Sequence, residues 1–479
     1  MLFNSLDFAI FLPIVFILYW FVTEKSLKLQ NTLLLCSSYF FYACWDWRFL
    51  FLLIFSTALD YCTGIKIHDS KKKSEKNFWF TLSIFSNLFF LCAFKYYNFF
   101  AESFADAISI FGLKANPWTL KIILPIGISF YTFHGLSYII DIYKDRIKAE
   151  KNLIDYSVFV SFFPLLVAGP IERATHLLPQ IKNNRVFDYT EAVNGLKQIL
   201  WGLFKKIVIA DQCAKYVNLI FDDSQNYSGS TLVLGAVYFA FQIYGDFSGY
   251  SDIASGTAKL FGINLLQNFA FPYFSRDIAE FWRRWHISLS TWFKDYVYVP
   301  LGGSKSGTWI KVRNTFAIFI LSGFWHGANW TFIFWGLLNA LYIMPSIILK
   351  TNRKHLDIVS QGRYFPTMNE VFAMGTTFSL TTFAWIFFRS ENMPQAINYI
   401  SGIFSTSFFS FPTVVPQYLI FWLLVFLLVE WFGRENSFAI ASIGLNRSRL
   451  FRYTVYFTVI FTIFYFISDK EQQFIYFQF

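Results

Sequence analysis

Long uncharged, apolar stretches dominate the chain. They cover residues 8–22, 29–45, 77–94, 122–140, 224–245, 314–349, 371–388, 392–429 and 453–468. A membrane-crossing helix needs about 20 mostly apolar residues. The stretch 314–349 is therefore long enough for two spans joined by a tight turn. Residues 49–65 predict a span interrupted by Asp60, and 156–171 is short enough to be re-entrant. The pattern predicts about 11 to 13 helical segments, with the middle third least regular. The first stretch reads as a span and not as a cleavable leader. Its first charge is Asp7, no basic residue precedes it, and no small-residue cleavage site follows.

Charge fixes an expected orientation. Basic residues gather at Lys25 and Lys28, across 66–76, from Lys144 to Lys151, from Lys350 to Arg363, and from Arg434 to Arg452. Basic loops stay on the cytoplasmic side. Both termini are then expected outside, which demands an even number of crossings. The run Lys71–Lys73 is a solvated cytoplasmic loop, and no repeat of fixed period is visible. Composition agrees with a membrane setting. Apolar residues make up 55% of 479 and charged residues only 15%, against about 25% charged in soluble domains. An ordinary soluble enzyme, a disordered chain and a nucleic-acid-binding module are excluded. The net charge of +10 is assigned to topology and lipid headgroups. One integral membrane domain, 1–479, is expected, with membrane lipids as its surroundings.

Of five cysteines, Cys36, Cys44, Cys62 and Cys92 lie in or beside apolar runs and are expected to be buried packing residues. Cys and His are never clustered at ligand spacing, so no metal is expected.

Three segments break the hydrophobic pattern. Residues 241–252 place Asp246, Asp252 and several hydroxyls at the end of an apolar run. They read either as a helix end, with Asp246 or Ser248 capping the next helix, or as the wall of a polar cavity. Gly245 and Gly249 suit close helix packing. Ser248 is no hydrolase nucleophile, because Asp246 stands where that motif requires glycine. The second segment, 278–296, spaces Ile278, Phe281, Trp285, Leu289, Trp292 and Tyr296 three or four apart. One helix lying in the membrane interface is predicted, with Arg283 and Lys294 on its other face and His286 on the aromatic side. The third, 321–331, carries His326 near the middle of an uncharged run, so it is expected deep in the membrane. An ionisable group there is a functional candidate. Gly323, Gly327 and Ala328 leave room for a ligand beside it, and Asn329 is the alternative hydrogen-bond partner.

Imidazole titrates near neutrality and can take a proton from a hydroxyl and return it. That suits acyl transfer from a thioester to an alcohol. His326 is expected as the base, with His286 orienting substrate or steadying the oxyanion. Neither segment holds a Cys or Ser nucleophile with an evident base, so direct attack is favoured over an acyl-enzyme. Trp285, Trp325, Asn329, Asp246, Ser248, Arg283 and Arg284 complete the expected substrate-binding set, the two arginines acting at the interface and not in the chemistry.

At these residues the chain resembles the membrane-bound O-acyltransferase family, in its bacterial branch of alginate O-acetyltransferase membrane subunits. The resemblance rests on 1–8, on 281–290 with 295–303, on 324–330 and on 474–479; 168–173 and 242–252 also fit. It implies an all-α polytopic bundle of tilted or re-entrant helices around a tunnel. The donor enters from the cytoplasm and the acceptor from the far side. His326 matches the family's near-invariant histidine and His286 the second one of this branch. It further implies a cytoplasmic thioester donor, acetyl-CoA, with no bound cofactor. A separate periplasmic partner of the SGNH type and an envelope polysaccharide acceptor, alginate-like exopolysaccharide or peptidoglycan, complete the expectation, in the bacterial inner membrane.

Competing expectations are D-alanyl transfer to teichoic acid, a multispan transporter or flippase, and a scaffold of an export machine. A transporter predicts inverted repeats, which the sequence does not display.

Overall fold

A computed structural model of the chain describes residues 1–479 except 113–118, 121–122, 167–168, 306, 444–447, 468–473 and 476–479. Ala168, Arg447 and the last four residues of the terminal motif, all used above, lie outside the described residues. The described residues form helices joined by turns and loops, with no strand among them. This is the all-α architecture that the hydropathy pattern predicts. The helices are α1 Leu6–Ile17, α2 Leu27–Asp69, α3 Lys73–Leu91, α4 Tyr97–Ser109, α5 Ile128–Tyr143, α6 Leu153–Ser161, α7 Phe163–Leu166, α8 Ala174–Lys182, α9 Tyr189–Phe204 and α10 Asp211–Asp222. They continue with α11 Gly229–Leu260, α12 Ile278–Arg284, α13 Ile287–Phe293, α14 Thr308–His326, α15 Trp330–Ile348, α16 Met368–Arg389, α17 Met393–Ile403, α18 Gln417–Gly433 and α19 Arg449–Phe466. Helix α2, the α3–α4 stretch, α15 and α16 are long and apolar enough to cross a bilayer, and two further apolar helices, Leu6–Val22 and Gln417–Gly433, are shorter.

Several boundaries differ from the hydropathy reading. Within α2 the stretches 29–45 and 49–65 are two helical segments, as expected, meeting at a kink where Asp46 is extended (φ −155°, ψ 109°); the differences lie elsewhere. The run 392–429 is not continuous helix. It divides into α17, a turn at Thr406–Phe409 and α18, because Pro412 and Pro416 cannot supply helical donors. Helix α11 continues unbroken from Gly229 to Leu260. Asp246 and Ser248 are therefore mid-helix, and neither caps a following helix.

The chain forms two compact units, 1–192 with 257–266, and 193–256 with 267–479. In the first unit α2 packs on α3, α5 and α6. Asp60, the charge that interrupts the second half of α2, is buried. Its carboxylate accepts from Ser83 Oγ at 2.7 Å and Asn87 Nδ2 at 2.8 Å, both on α3. A buried carboxylate is tolerated only when so bonded. A side chain at Gly135 of α5 would collide with it. Asn31 Nδ2 donates to Asp155 Oδ1 at 2.8 Å and ties α2 to α6.

The expectation for the cysteines is corrected in this unit. Cys36, Cys44, Cys62 and Cys92 are exposed, and only Cys213, in the other unit, is buried. An apolar run in a membrane helix does not say which face turns inward, because the lipid-facing side is apolar too.

In the second unit α11 lies against α9 and the π-helical turn Lys205–Ala210. A side chain at Gly249 would stand 2.8 Å from the Gly202 carbonyl oxygen, and one at Gly245 3.0 Å from that of Lys205. These glycines serve close packing. The crossing brings two buried lysines to α11. Lys205 Nζ pairs with Asp252 at 2.6 Å, and Lys206 Nζ with Asp246 at 2.7 Å and Asp211 at 2.9 Å.

Candidate active site

The predicted single helix over 278–296 is two. Asp277 caps α12 by accepting from Glu280 N at 2.6 Å. Trp285 is then extended and His286 left-handed (φ 43°, ψ 55°) before α13 begins. The segment 268–270 supplies what the break gives up. Ile287 N donates to Asn268 O at 2.9 Å and Ala270 N to Arg284 O at 3.0 Å. The apolar stripe survives the break as a buried one: Ile278, Phe281, Trp285, Leu289, Trp292 and Tyr296 are all in the core. An interfacial helix with these residues against lipid is thus excluded.

His286 points inward. Phe247 of α11 meets its ring edge-on at 4.6 Å. Its Nδ1 lies 3.3 Å from Asn268 Oδ1, which Ser288 Oγ also approaches at 2.6 Å, while Asn268 Nδ2 donates to Ser251 Oγ at 3.0 Å. His286 Nε2 is buried with no hydrogen-bond partner among the described residues. Burial pushes this imidazole down to about 3, so the ring is neutral.

His326 is the last residue of α14 and not the midpoint of a span. Helices α14 and α15 form an antiparallel hairpin, turning at 327–329. Gly323 faces the Phe332 carbonyl and Gly336 that of Phe319. The space beside Gly327 is filled by the Phe332 ring. Gly323 and Gly327 thus make room for the partner helix, not for a ligand. The His326 ring meets Trp335 at 5.2 Å, Phe388 at 5.2 Å and Trp325 at 4.8 Å. Trp325 also lies 6.1 Å from His286, so one indole stands beside both imidazoles.

Both histidines line one cavity of about 710 Å³. Trp282, Trp285, Phe319 and Ile343 supply apolar wall, and Ser290 and Ser322 supply hydroxyls. Arg283, Lys294, Lys311, Lys350 and Arg353 also line it. Lys311 stands in the first turn of α14, fifteen residues before His326, or about 22 Å along the helix at 1.5 Å per residue. In the antiparallel hairpin Lys350 and Arg353, just beyond α15, belong to that same end. The cavity is therefore basic at the end away from His326.

The 350–357 loop is held by α12. Arg283 donates to the carbonyls of Asn352 and His355, each at 2.7 Å. Arg284 bonds Glu280 at 2.8 Å and the Asp357 carbonyl at 2.9 Å. Arg276 bonds both Glu280 and the Asp357 carboxylate, each at 3.0 Å, and this guanidinium holds Asp357 below the usual carboxylate range.

Of the expected set, the cavity gathers His286, His326, Trp285 and Arg283. Trp325 stands behind the imidazoles. Arg284 is committed to Glu280 and the loop. Asn329 does not bond His326: it caps α15 through Thr331 N at 3.0 Å and donates to the Glu391 carbonyl at 2.6 Å. Asp246 is taken by Lys206 and by Ile475 N at 2.7 Å, and Ser248 is buried inside α11. Neither is among the cavity's lining residues. Sequence reasoning missed Asn268, which sits in an irregular stretch without periodicity, and Trp335. Lys350 and Arg353 had been assigned to topology alone, and nothing local distinguishes the two uses.

Comparison with known proteins shows the family. The model of the membrane-bound O-acyltransferase family matches residues 34–388. The chain is 36% identical to the peptidoglycan O-acetyltransferase of Helicobacter pylori over 84% of this chain and 80% of that one. It is 39% identical to the probable alginate O-acetylase of Pseudomonas putida over 85% and 80%. It is 29% identical to the teichoic acid D-alanyltransferase of Bacillus subtilis over 56% of this chain and 69% of that one.

Proposed function

Because the chain belongs to the membrane-bound O-acyltransferase family and is a multi-pass O-acyltransferase, we propose that it moves an acetyl group from cytoplasmic acetyl-CoA towards an envelope polysaccharide. The acceptor class is an alginate-like exopolysaccharide or peptidoglycan. One observation carries the reading: a single cavity holds two buried imidazoles at one end and basic side chains at the other. Cations suit the phosphates of coenzyme A, and the stretch of α14 between Lys311 and His326 is of the order of an extended pantetheine arm. The aromatic end excludes water around the thioester.

The chemistry divides between the histidines. One imidazole takes the proton of the acceptor hydroxyl as its oxygen attacks the thioester carbonyl. The other steadies the oxyanion. Collapse breaks the C–S bond, the thiolate recovers the proton, and ester and thiol leave. A periplasmic SGNH-type partner then completes delivery to the polysaccharide across the bacterial inner membrane. Family membership removes the transporter and scaffold alternatives as accounts of the chain's chemistry. D-alanyl transfer is the second reading. Its relative matches a smaller part of the chain than the O-acetyl relatives do.

Ester-linked acetate and D-alanine on envelope polymers, measured with the gene intact, deleted and carrying His326→Ala, test the proposal. Acetate should fall in both altered strains and D-alanine should not. Unchanged acetate in the deletion strain refutes acetyl transfer, and loss of D-alanine instead selects the second reading.

A further inference from the structure

We infer that Asn268 is a positioning residue that locks His286 in the Nδ1–H tautomer, so that Nε2 enters the cavity as a proton acceptor. This deepens the acyl-transfer reading and rests on it for the role of that acceptor.

Three observations carry it. First, Asn268 is fixed on several sides. Its carbonyl takes Ile287 N at 2.9 Å, its Nδ2 donates to Ser251 Oγ at 3.0 Å, and its Oδ1 accepts from Ser288 Oγ at 2.6 Å. With the amide so oriented, Oδ1 is an acceptor, and the His286 Nδ1 at 3.3 Å must be the donor. Neutral imidazole carries one N–H, so placing it on Nδ1 leaves a lone pair on Nε2. Second, Nε2 is buried without a hydrogen-bond partner among the described residues, and His286 lines the cavity. An unmet acceptor there is complementary to a hydroxyl and not to a carbonyl oxygen. Third, the ring cannot easily turn. Phe247 meets it edge-on at 4.6 Å and Phe269 lies nearly parallel at 6.5 Å, while the left-handed backbone of His286 fixes where the side chain starts.

This assignment exchanges the roles expected from sequence. His286 takes the acceptor's hydroxyl proton on Nε2 and returns it to the departing thiolate. His326, which shares the Trp325 indole with it, is left to steady the carbonyl oxygen as it gains charge. Charged groups on the elements packed against His286 are otherwise engaged. Asp246 and Asp252 of α11 pair with Lys206 and Lys205, and Glu280 of α12 with Arg276 and Arg284. Arg283 is bonded to the loop carbonyls, and His326 lies beyond Trp325. Among the described residues none of these makes an ion pair or hydrogen bond with His286.

The tautomer is measurable without any turnover. In purified protein labelled with ¹⁵N-histidine, the His286 resonances, assigned by their disappearance in His286→Gln, should show a protonated Nδ1 and a bare Nε2. A proton on Nε2 overturns the inference, whatever reaction the protein catalyses. The functional arm uses Asn268→Ala and Asn268→Asp at matched membrane levels. Asn268→Ala should lower kcat by about 10²-fold with KM little changed. Asn268→Asp keeps an acceptor on Nδ1 and adds a charge that favours imidazolium. It should stay active at high pH, with the acidic limb of its pH profile moved up by about one unit. An active Asn268→Asp enzyme with the parental profile, or full activity in Asn268→Ala, also overturns the inference. If acetyl transfer is absent from the parent protein, the proposed function fails while the tautomer measurement still stands.

Discussion

Replacing Gly323 by alanine adds a single methyl group, yet it is expected to cripple the enzyme. That methyl would lie 3.0 Å from the Phe332 carbonyl carbon and 3.4 Å from Gly336 Cα, with the Phe332 oxygen nearer still. Ordinary carbon contacts are about 3.5–4.0 Å, and the obstruction is backbone, which cannot rotate aside. The α14–α15 hairpin must therefore open by about 1 Å to restore such contacts. Overpacking of this kind costs about 1–3 kcal/mol. The kinetic loss should be larger in proportion. Gly323 is three residues before His326, and Gly336 follows Trp335, the ring packed on that imidazole. A displacement of about 1 Å at a reacting group can cost about 10²-fold in rate. The assay is acetyl transfer in membranes at matched protein level, alongside thermal unfolding in detergent. Gly375→Ala, on α16 with nothing within 4 Å of the new methyl, is the control. It should be neutral or slightly stabilising, since alanine is the better helix former. Gly323→Ala with parental activity would refute the claim that this crossing holds His326 in place.

His326→Ala should lose about 10²–10³-fold in acetyl transfer while the protein still accumulates, and His326→Gln should lose less, because its amide can still donate to the carbonyl oxygen. Near-normal rates in His326→Ala remove His326 from the mechanism. Asp357→Asn weakens the Arg276 contact that anchors the 350–357 loop, so donor KM should rise several-fold with kcat kept. A change confined to kcat would disconnect the loop from donor binding. Asp246→Ala removes the carboxylate 2.7 Å from the buried Lys206 ammonium, and breaking a buried pair costs about 3–5 kcal/mol. Its expected signature is loss of folded protein, read by size-exclusion of solubilised membranes. Well-folded Asp246→Ala with a raised KM would instead return Asp246 to the substrate-binding set.

Much of the fold is readable from hydropathy because spans obey a length rule. The tight turn expected within 314–349 reappears between α14 and α15, of which α15 is long and apolar enough to cross, and the interruption at Asp60 reappears as the bonded carboxylate of α2. What local pattern cannot show is a contact made from elsewhere in the chain. The three-and-four spacing runs from Phe281 through Trp285 to Leu289 without interruption, yet the helix breaks between Arg284 and Ile287. The deciding bonds come from Asn268 and Ala270. The same limit applies to Asn329 and Asp246. Their polarity in apolar surroundings marks them as important, but a helix cap and a buried lysine account for it. Lys205 and Lys206 look like loop charges until α11 is placed beside them. His286 and His326 are 40 positions apart, and only the packing of α12, α13 and α14 brings them to one cavity.

The distribution of thiols also makes the protein convenient to probe. Four sulfhydryls are exposed, all on helices of the first unit or the turn that follows α3, and the single thiol of the second unit is sealed in its core. Alkylation of the native thiols, wherever they reach water, should thus fall on one half of the molecule and spare the half that carries both imidazoles. The native background already separates the two halves chemically. A cysteine introduced beside the cavity, at Ser322 or Ser290, would be the first reactive thiol of its unit and could report donor occupancy by its protection from alkylation.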